Sequence, residues 1–225
     1  MSVPVRKFTW QKTWRVIPTR YPRTDLLDRV SSPEDRRGAE EVDGRTNRRM
    51  RFLRNEFSSL RPNDRLSKQT HRHLMSPFTK PRGGRFSDET MGCCYAADSL
   101  QTAVAEKMYH HRIFLADTDL PPMRLDMTAL IFKLSGEMVD LRGLRHEQPE
   151  LYDPRSYSQS RPFGRRLWEQ DRGGIIYDSV RRAGGLCAAV FKPQCLSHVR
   201  EDRCLLFFWD GKTITPYELQ EYPYL

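Results

Sequence analysis

Apolar residues in this chain come in short runs broken by Gly, Pro and Asp, and that arrangement limits the fold more than any other feature. "CCYAA" (93–97), "MRLDMTALIFKLS" (123–135), "MVDLR" (138–142), "GGIIYDSV" (173–180), "GLCAAVF" (185–191), "CLLFFWD" (204–210) and "TITPYEL" (213–219) follow one another, and the gaps between the later ones are too short for helical crossovers. Strands joined so tightly pair antiparallel, because a parallel return needs a dozen or more connecting residues. Near the start, "KFTWQ" and "TWRVIP" alternate aromatic or β-branched residues with polar ones, the period of a half-buried strand, until the prolines of "PTRYPRTD" stop it. Helical pattern enters twice. Leu100, Ala103, Val104 and Met108 form one apolar stripe behind a capping Asp98 or Ser99, and "SYSQSRPFGRRLWEQ" reads as a helix after a turn. The expected fold class is α+β with a mainly antiparallel sheet.

At 225 residues the chain suits one domain, 1–225, carrying an insertion at 26–80. There, scattered apolar positions (Leu26, Leu27, Val30, Met50, Leu53, Phe57) in arginine-rich sequence read as short exposed helices. Its basic run "RTNRRMRFLR" reads as a solvated helix face or a partner-docking surface ahead of a nucleic-acid site. Aromatic residues make up 11% of the chain, which supplies a core and excludes a disordered chain. "MSVPVRKFTWQK" has no apolar leader pattern and no later run is long enough to cross a bilayer, so the expected location is cytoplasmic, with no membrane partner. Cys93, Cys94, Cys187, Cys195 and Cys204 form no Cys-x-x-Cys pair and no zinc spacing, so reduced, mostly buried thiols are expected and no metal. The net charge of +9, mostly from arginine, asks for an acidic partner: a phosphorylated ligand, a nucleic acid, an anionic lipid or an acidic protein.

Four residues then stand out for chemistry. Gly83 and Gly84 let the backbone turn tightly ahead of Arg85. Arg85 offers a phosphate fork, Tyr95 an aromatic face, Glu106 a carboxylate at the margin of the helix stripe, and Ser179 a small donor closing "GIIYDS". Such a set suits a nucleotide sugar. Breaking an N-glycosidic bond builds positive charge on the sugar ring, which a fixed carboxylate stabilises more than it stabilises the ground state. Taken singly, each residue has a plainer reading, since surface glutamates and structural arginines far outnumber catalytic ones. His110 and His111 read as cations at a helix C-terminus, Cys93 and Cys94 as small core residues with no partner base, and Trp168 and Trp209 as core anchors.

"GGRF", Tyr95 in "CYAA", Glu106 in "AVAE" and "GIIYDSVRRAGGLCAAVFKP" together resemble the RES-domain family, named for an arginine, a glutamate and a serine. The separations of 10 from Arg85 to Tyr95 and 11 from Tyr95 to Glu106 are similar to that family's arrangement. "TWRVIPTRYP" resembles its opening strand and "LYDPRSYSQSRPFGRRLW" the segment before its serine, so the likeness runs from Trp14 to about Tyr217. The region 26–80 is longer than in the smallest members, and Phe86 and Ser87 stand where many members carry tryptophan and asparagine. The resemblance implies an ADP-ribosyltransferase-like fold, a split and curved sheet around a cleft that holds NAD. It also implies a toxin of a bacterial toxin–antitoxin pair that cleaves the nicotinamide N-glycosidic bond. ADP-ribose would pass to phosphate, as in an NAD phosphorylase, or to water, as in an NAD glycohydrolase. Transfer to a protein target and a catalytically inactive nucleic-acid-binding or regulatory module are the alternatives. By carry-over, Arg85 would hold the NAD phosphates or ribose, Tyr95 stack near nicotinamide, Glu106 polarise the nicotinamide ribose and Ser179 anchor the ligand, with Gly84, Phe86 and Arg181 lining the binding site. NAD is then a substrate, inorganic phosphate a candidate co-substrate, and no prosthetic group is needed. The implied partners are an Xre-type helix-turn-helix antitoxin, through which alone the protein would meet DNA, and a second copy in a homo-oligomer.

Overall fold

The structure, a computed structural model, describes residues 3–19, 72–79, 81–118 and 120–216. Of the insertion expected at 26–80, residues 26–71 and 80 lie outside the described residues, while Arg72–Thr79 is a helix. Among the described residues, the strands are β1 (Val5–Pro18), β2 (Cys94–Ala97), β3 (Met123–Asp140), β4 (Gly174–Asp178), β5 (Leu186–Val190), β6 (Leu196–Trp209) and β7 (Ile214–Pro216). The α-helices are α1 (Arg72–Thr79), α2 (Leu100–Ala116) and α3 (Ser160–Glu169).

The sheet runs β1-β2-β5-β4-β3-β6-β7, and β1 also pairs with β3 along most of its length. These pairings close β1, β2, β5, β4 and β3 into a ring, with β6 pairing along β3 from Met123 to Leu134 and β7 added on the far side of β6. Every pairing is antiparallel except β3–β4, where Val139 meets Ile175 and Asp140 meets Ile176. That parallel step falls where the connection is long enough to allow it, since the chain between β3 and β4 holds a 3₁₀ turn (Pro149–Tyr152) and α3. The architecture is the expected α+β with a mainly antiparallel sheet. One difference lies in β3: the two strands expected at 123–135 and 138–142 are a single strand that runs straight through Gly136. Its ladder to β1 continues on both sides, Phe8 opposite Gly136 and Lys7 opposite Glu137, and a paired backbone outweighs the weak strand preference of one glycine.

Alternation along the strands sorts the side chains into two cores. Met127 and Ala129 of β3, Ile175 and Tyr177 of β4, and Cys187 and Ala189 of β5 enter one, which α2 covers with Leu100, Ala103 and Leu115. Leu130, Phe132, Leu134, Ile176, Ala188 and Val190 enter the other, which α1 covers with Leu74 and Phe78. With both faces covered, the central strands read as near-continuous apolar runs, which is why "ALIF" and "CAAV" show so little polar alternation.

Helix α2 begins where the sequence places it. The Ser99 hydroxyl accepts from the Thr102 amide at 3.3 Å, an N-cap contributing about 1 kcal/mol. Its end is later than expected: the helix continues through "RIFLA" to Ala116, so His110 and His111 lie inside it rather than at its C-terminus. The capping reading of those two histidines is therefore wrong. The residues that follow them are good helix formers and carry no Gly or Pro to stop the helix.

Candidate functional site

Register across β2, β5 and β4 puts a row of side chains on the α2 side of the sheet. Ala97 pairs with Cys187 and Cys187 with Tyr177; one row along, Tyr95 pairs with Ala189 and Ala189 with Ile175. Ser179 extends this face past the end of β4, because its amide still bonds to the Gly185 carbonyl at 2.8 Å and it lies two residues after Tyr177. Tyr95, Tyr177, Cys187 and Ser179 thus share one surface, and α2 lies over it.

Glu106 reaches that surface because the helix sits close to the β4–β5 turn. Thr102 and Glu106, four residues apart, share a helix face. Gly185 allows Thr102 to approach, since a β-carbon there would lie 2.4 Å from the Thr102 hydroxyl oxygen. One turn further on, Ser179 Oγ donates to Glu106 Oε1 at 2.6 Å, a short charge-assisted bond, and the Cys187 thiol donates to the same oxygen at 3.6 Å. Ser179 Oγ also accepts from the amides of Arg181 and Arg182, each at 3.1 Å. The serine therefore orders the turn after β4 and fixes one carboxylate oxygen, while Glu106 Oε2 carries no hydrogen bond among the described residues. Burial, reinforced by Glu106, pushes the Cys187 thiol well above the usual cysteine range, so it stays protonated as a donor.

Arg85 stands on the turn 83–87 that leads into the sheet. The Tyr95 phenol holds this turn: its oxygen accepts from the Phe86 amide at 2.8 Å and shares a hydrogen bond with Ser87 Oγ at 2.9 Å. Gly84 permits the fit, since a β-carbon there would fall 2.5 Å from the Tyr95 ring. Arg85 is buried, and its Nη1 donates to the carbonyls of Leu151 and Asp153, each at 2.9 Å. Its Nε and Nη2 edge carries no hydrogen bond among the described residues. Phe86, expected as an aromatic wall for a ligand, is 0% exposed and offers no surface of its own. It packs edge-on against Tyr177, with centroids 4.9 Å apart, and supports that ring from behind.

Tyr177 connects the separate candidates. Burial, then Cys187, Glu106 and Tyr95, raise its phenol well above the usual tyrosine value, and Arg85 opposes them. Glu106, Tyr95 and Arg85 are thus all within electrostatic reach of one buried phenol, although Arg85 and Glu106 form no ion pair with each other. Sequence reasoning passed over Tyr177; its position two residues before Ser179 on a strand was the available signal. Arg181 borders the same region from above. Its guanidinium lies 3.2 Å over the Tyr109 ring and donates to the Pro154 carbonyl, which the Tyr109 hydroxyl also reaches at 2.9 Å. On the other side of α2, burial followed by Arg15 and Arg82 lowers Lys107 to about 7. Among the described residues no set of three His, Cys, Asp or Glu side chains is placed to hold a metal ion, and a groove behind α3, lined by Val3, Val5 and Leu167, includes none of the residues above.

Comparisons with known proteins bear on this arrangement. The family model of the RES domain matches residues 64–210, more than half of the chain and a span that contains Arg85, Tyr95, Glu106 and Ser179. The chain is 26% identical over 204 residues to the uncharacterized protein y4oC of Sinorhizobium fredii, covering 90% of this chain and 84% of that protein. Among solved structures, a chain of the MbcT–MbcA toxin–antitoxin complex of M. tuberculosis is similar over 61% of this chain and 80% of its own length, at 14% identity and a TM-score of 0.43.

Proposed function

The chain belongs to the RES domain family, and from that premise we propose that it is an NAD-consuming enzyme, the toxin of a toxin–antitoxin pair. One observation carries the reading: Ser179 fixes Glu106 by one oxygen and leaves the other uncommitted, on the sheet face shared with Tyr95, whose phenol holds the turn that carries Arg85. A carboxylate so held is oriented before any ligand arrives, which is what stabilising a developing positive charge requires. In the reaction, the bond between the ribose and nicotinamide breaks and nicotinamide leaves with the bonding pair. Glu106 stabilises the charge left on the ribose. An oxygen of inorganic phosphate, or of water with loss of a proton, then forms the new bond to the sugar carbon. Arg85 supplies cation and donors to the phosphates through Nε and Nη2, while its Nη1 stays with the Leu151 and Asp153 carbonyls.

The ring of β1, β2, β5, β4 and β3 with α2 laid across it is compatible with an ADP-ribosyltransferase-like cleft, in one domain whose segment 26–80 is an insertion. The proposed setting is the cytoplasm, with an Xre-type antitoxin blocking the cleft; a net charge of +9 favours an acidic face on that partner. The test is product mass. Purified protein incubated with NAD in the presence and absence of phosphate should release nicotinamide and yield ADP-ribose carrying one added phosphate, or ADP-ribose alone where water is the acceptor. Label appearing on a protein would instead mark a transferase. Unchanged NAD in every condition would refute the enzymatic reading.

A further inference from the structure

A second arginine stands beside Arg85 and points to where the phosphates of the substrate lie. Tyr157, in the loop between β3 and α3, has the Arg85 guanidinium 4.9 Å from its ring centroid and the Arg161 guanidinium at 5.6 Å. Arg161 is tied to the same turn as Arg85, with its Nε donating to the Gly84 carbonyl at 3.1 Å. Two like charges are therefore gathered around one aromatic ring. Neither forms an ion pair with a carboxylate among the described residues. Asp153 is within electrostatic reach of Arg85, but its Oδ1 is engaged by the amides of Arg155 and Ser156, both at 2.7 Å.

The helix adds to this excess of positive charge. Arg161 lies in the first turn of α3, where the partial positive charge of the helix end disfavours a cation. That turn has no acidic residue and no side-chain cap. Ser160, its first residue, is 0% exposed and its hydroxyl has no hydrogen-bond partner among the described residues. An arginine pair gathered on one ring with no carboxylate partner among the described residues is unfavourable by itself, and a multivalent anion bound between the two guanidinium groups relieves it.

We propose that Arg161, with Arg85 across Tyr157, forms the diphosphate-binding end of the cleft, so that Arg161 selects dinucleotides over ligands lacking a diphosphate. The ligand class is a nucleoside diphosphate moiety, and the link to NAD rests on the function proposed above. Arg161 touches the substrate only through phosphate and is a binding residue, remote from the bond that breaks.

Calorimetry with ADP-ribose and with inorganic pyrophosphate, on wild type, Arg161→Ala and Arg161→Lys, tests the site without requiring turnover. The expected result is a loss of affinity for both probes of at least about tenfold in Arg161→Ala, the range of one charge-assisted contact, with partial recovery in Arg161→Lys. In turnover, KM for NAD should rise by a similar factor with kcat within about twofold. Equal affinity of wild type and Arg161→Ala for both probes would overturn the proposal even if NAD is cleaved, and so would a wild type that binds neither. If the probes bind in an Arg161-dependent way but NAD stays intact, the anion site stands and the enzymatic reading fails. Thermal unfolding of each variant guards against misfolding, and unchanged folding is expected because Arg161 is exposed.

Discussion

Removing the Ser179 hydroxyl should loosen both the fold and the carboxylate it holds. In Ser179→Ala, the 2.6 Å bond to Glu106 is lost together with the two 3.1 Å bonds from the Arg181 and Arg182 amides, at a residue only 3% exposed. A bond to a charged group contributes about 1.5–3 kcal/mol and a neutral one about 0.5–1.5 kcal/mol. Because the three share one atom and the turn can relax, the expected total is about 2–4 kcal/mol, which lowers Tm by roughly 5–15 °C for a chain of this size. The pairwise part is isolated by a double-mutant cycle of Ser179→Ala and Glu106→Ala, measured by urea denaturation followed through tryptophan fluorescence. The cycle should return a coupling of about 1.5–3 kcal/mol. Additive costs, with coupling below about 0.5 kcal/mol, would mean that serine and carboxylate act independently and that the orientation of Glu106 has another source. Activity gives a second readout: with Oε1 released, kcat should fall by about 10–100-fold while KM changes little.

Other perturbations follow from the same geometry. Gly185→Ala would force its new methyl against Thr102 and lift α2 from the β4–β5 turn, so NAD turnover should fall while circular dichroism stays near wild type, at a stability cost of about 1–3 kcal/mol. Tyr95→Phe removes the acceptor of the Phe86 amide and should cost about 1–2 kcal/mol in denaturant melts, with reduced turnover as the Arg85 turn loosens. Lys107 is lowered from 10.5 to about 7 by burial, so the unfolded chain binds the extra proton between those values and stability should rise with pH across that window; Lys107→Met should abolish the rise and stabilise the protein below pH 7. His111, lowered by burial to about 4, has the same sign in a more acidic window: stability should fall as pH drops from 6.5 towards 4, and His111→Phe should flatten that limb in pH-dependent melts.

The parts of this protein that the sequence discloses are those set by neighbours along the chain. The alternation of β1, the Ser99 cap and the short strands β4 and β5 follow from local periodicity and turn residues. Where a longer-range partner decides, local reading fails: pairing with β1 carries β3 through Gly136. The site is legible in a similar measure. Arg85, Tyr95, Glu106 and Ser179 could be named from their types and from a family likeness, but what they touch could not. The bonds from Arg85 to Leu151, from Glu106 to Ser179 and from Arg161 to Gly84 span 66, 73 and 77 residues. Tyr177, Tyr157 and Arg161 belong to this neighbourhood through sheet register and the β3–β4 crossover, which a single sequence does not reveal. Phe86 illustrates the converse, a residue picked for its aromatic ring that the fold encloses completely.

The most direct measurement is nicotinamide release from NAD by wild type and by Glu106→Gln, with NAD affinity measured on both. Glutamine keeps an acceptor for Ser179 and removes only the charge. Wild type should release one nicotinamide for each NAD consumed, and Glu106→Gln should bind NAD with nearly unchanged affinity while its release rate falls by at least about 100-fold. Equal release by the two proteins, or none by either, would contradict the claim that this carboxylate stabilises the breaking of the glycosidic bond.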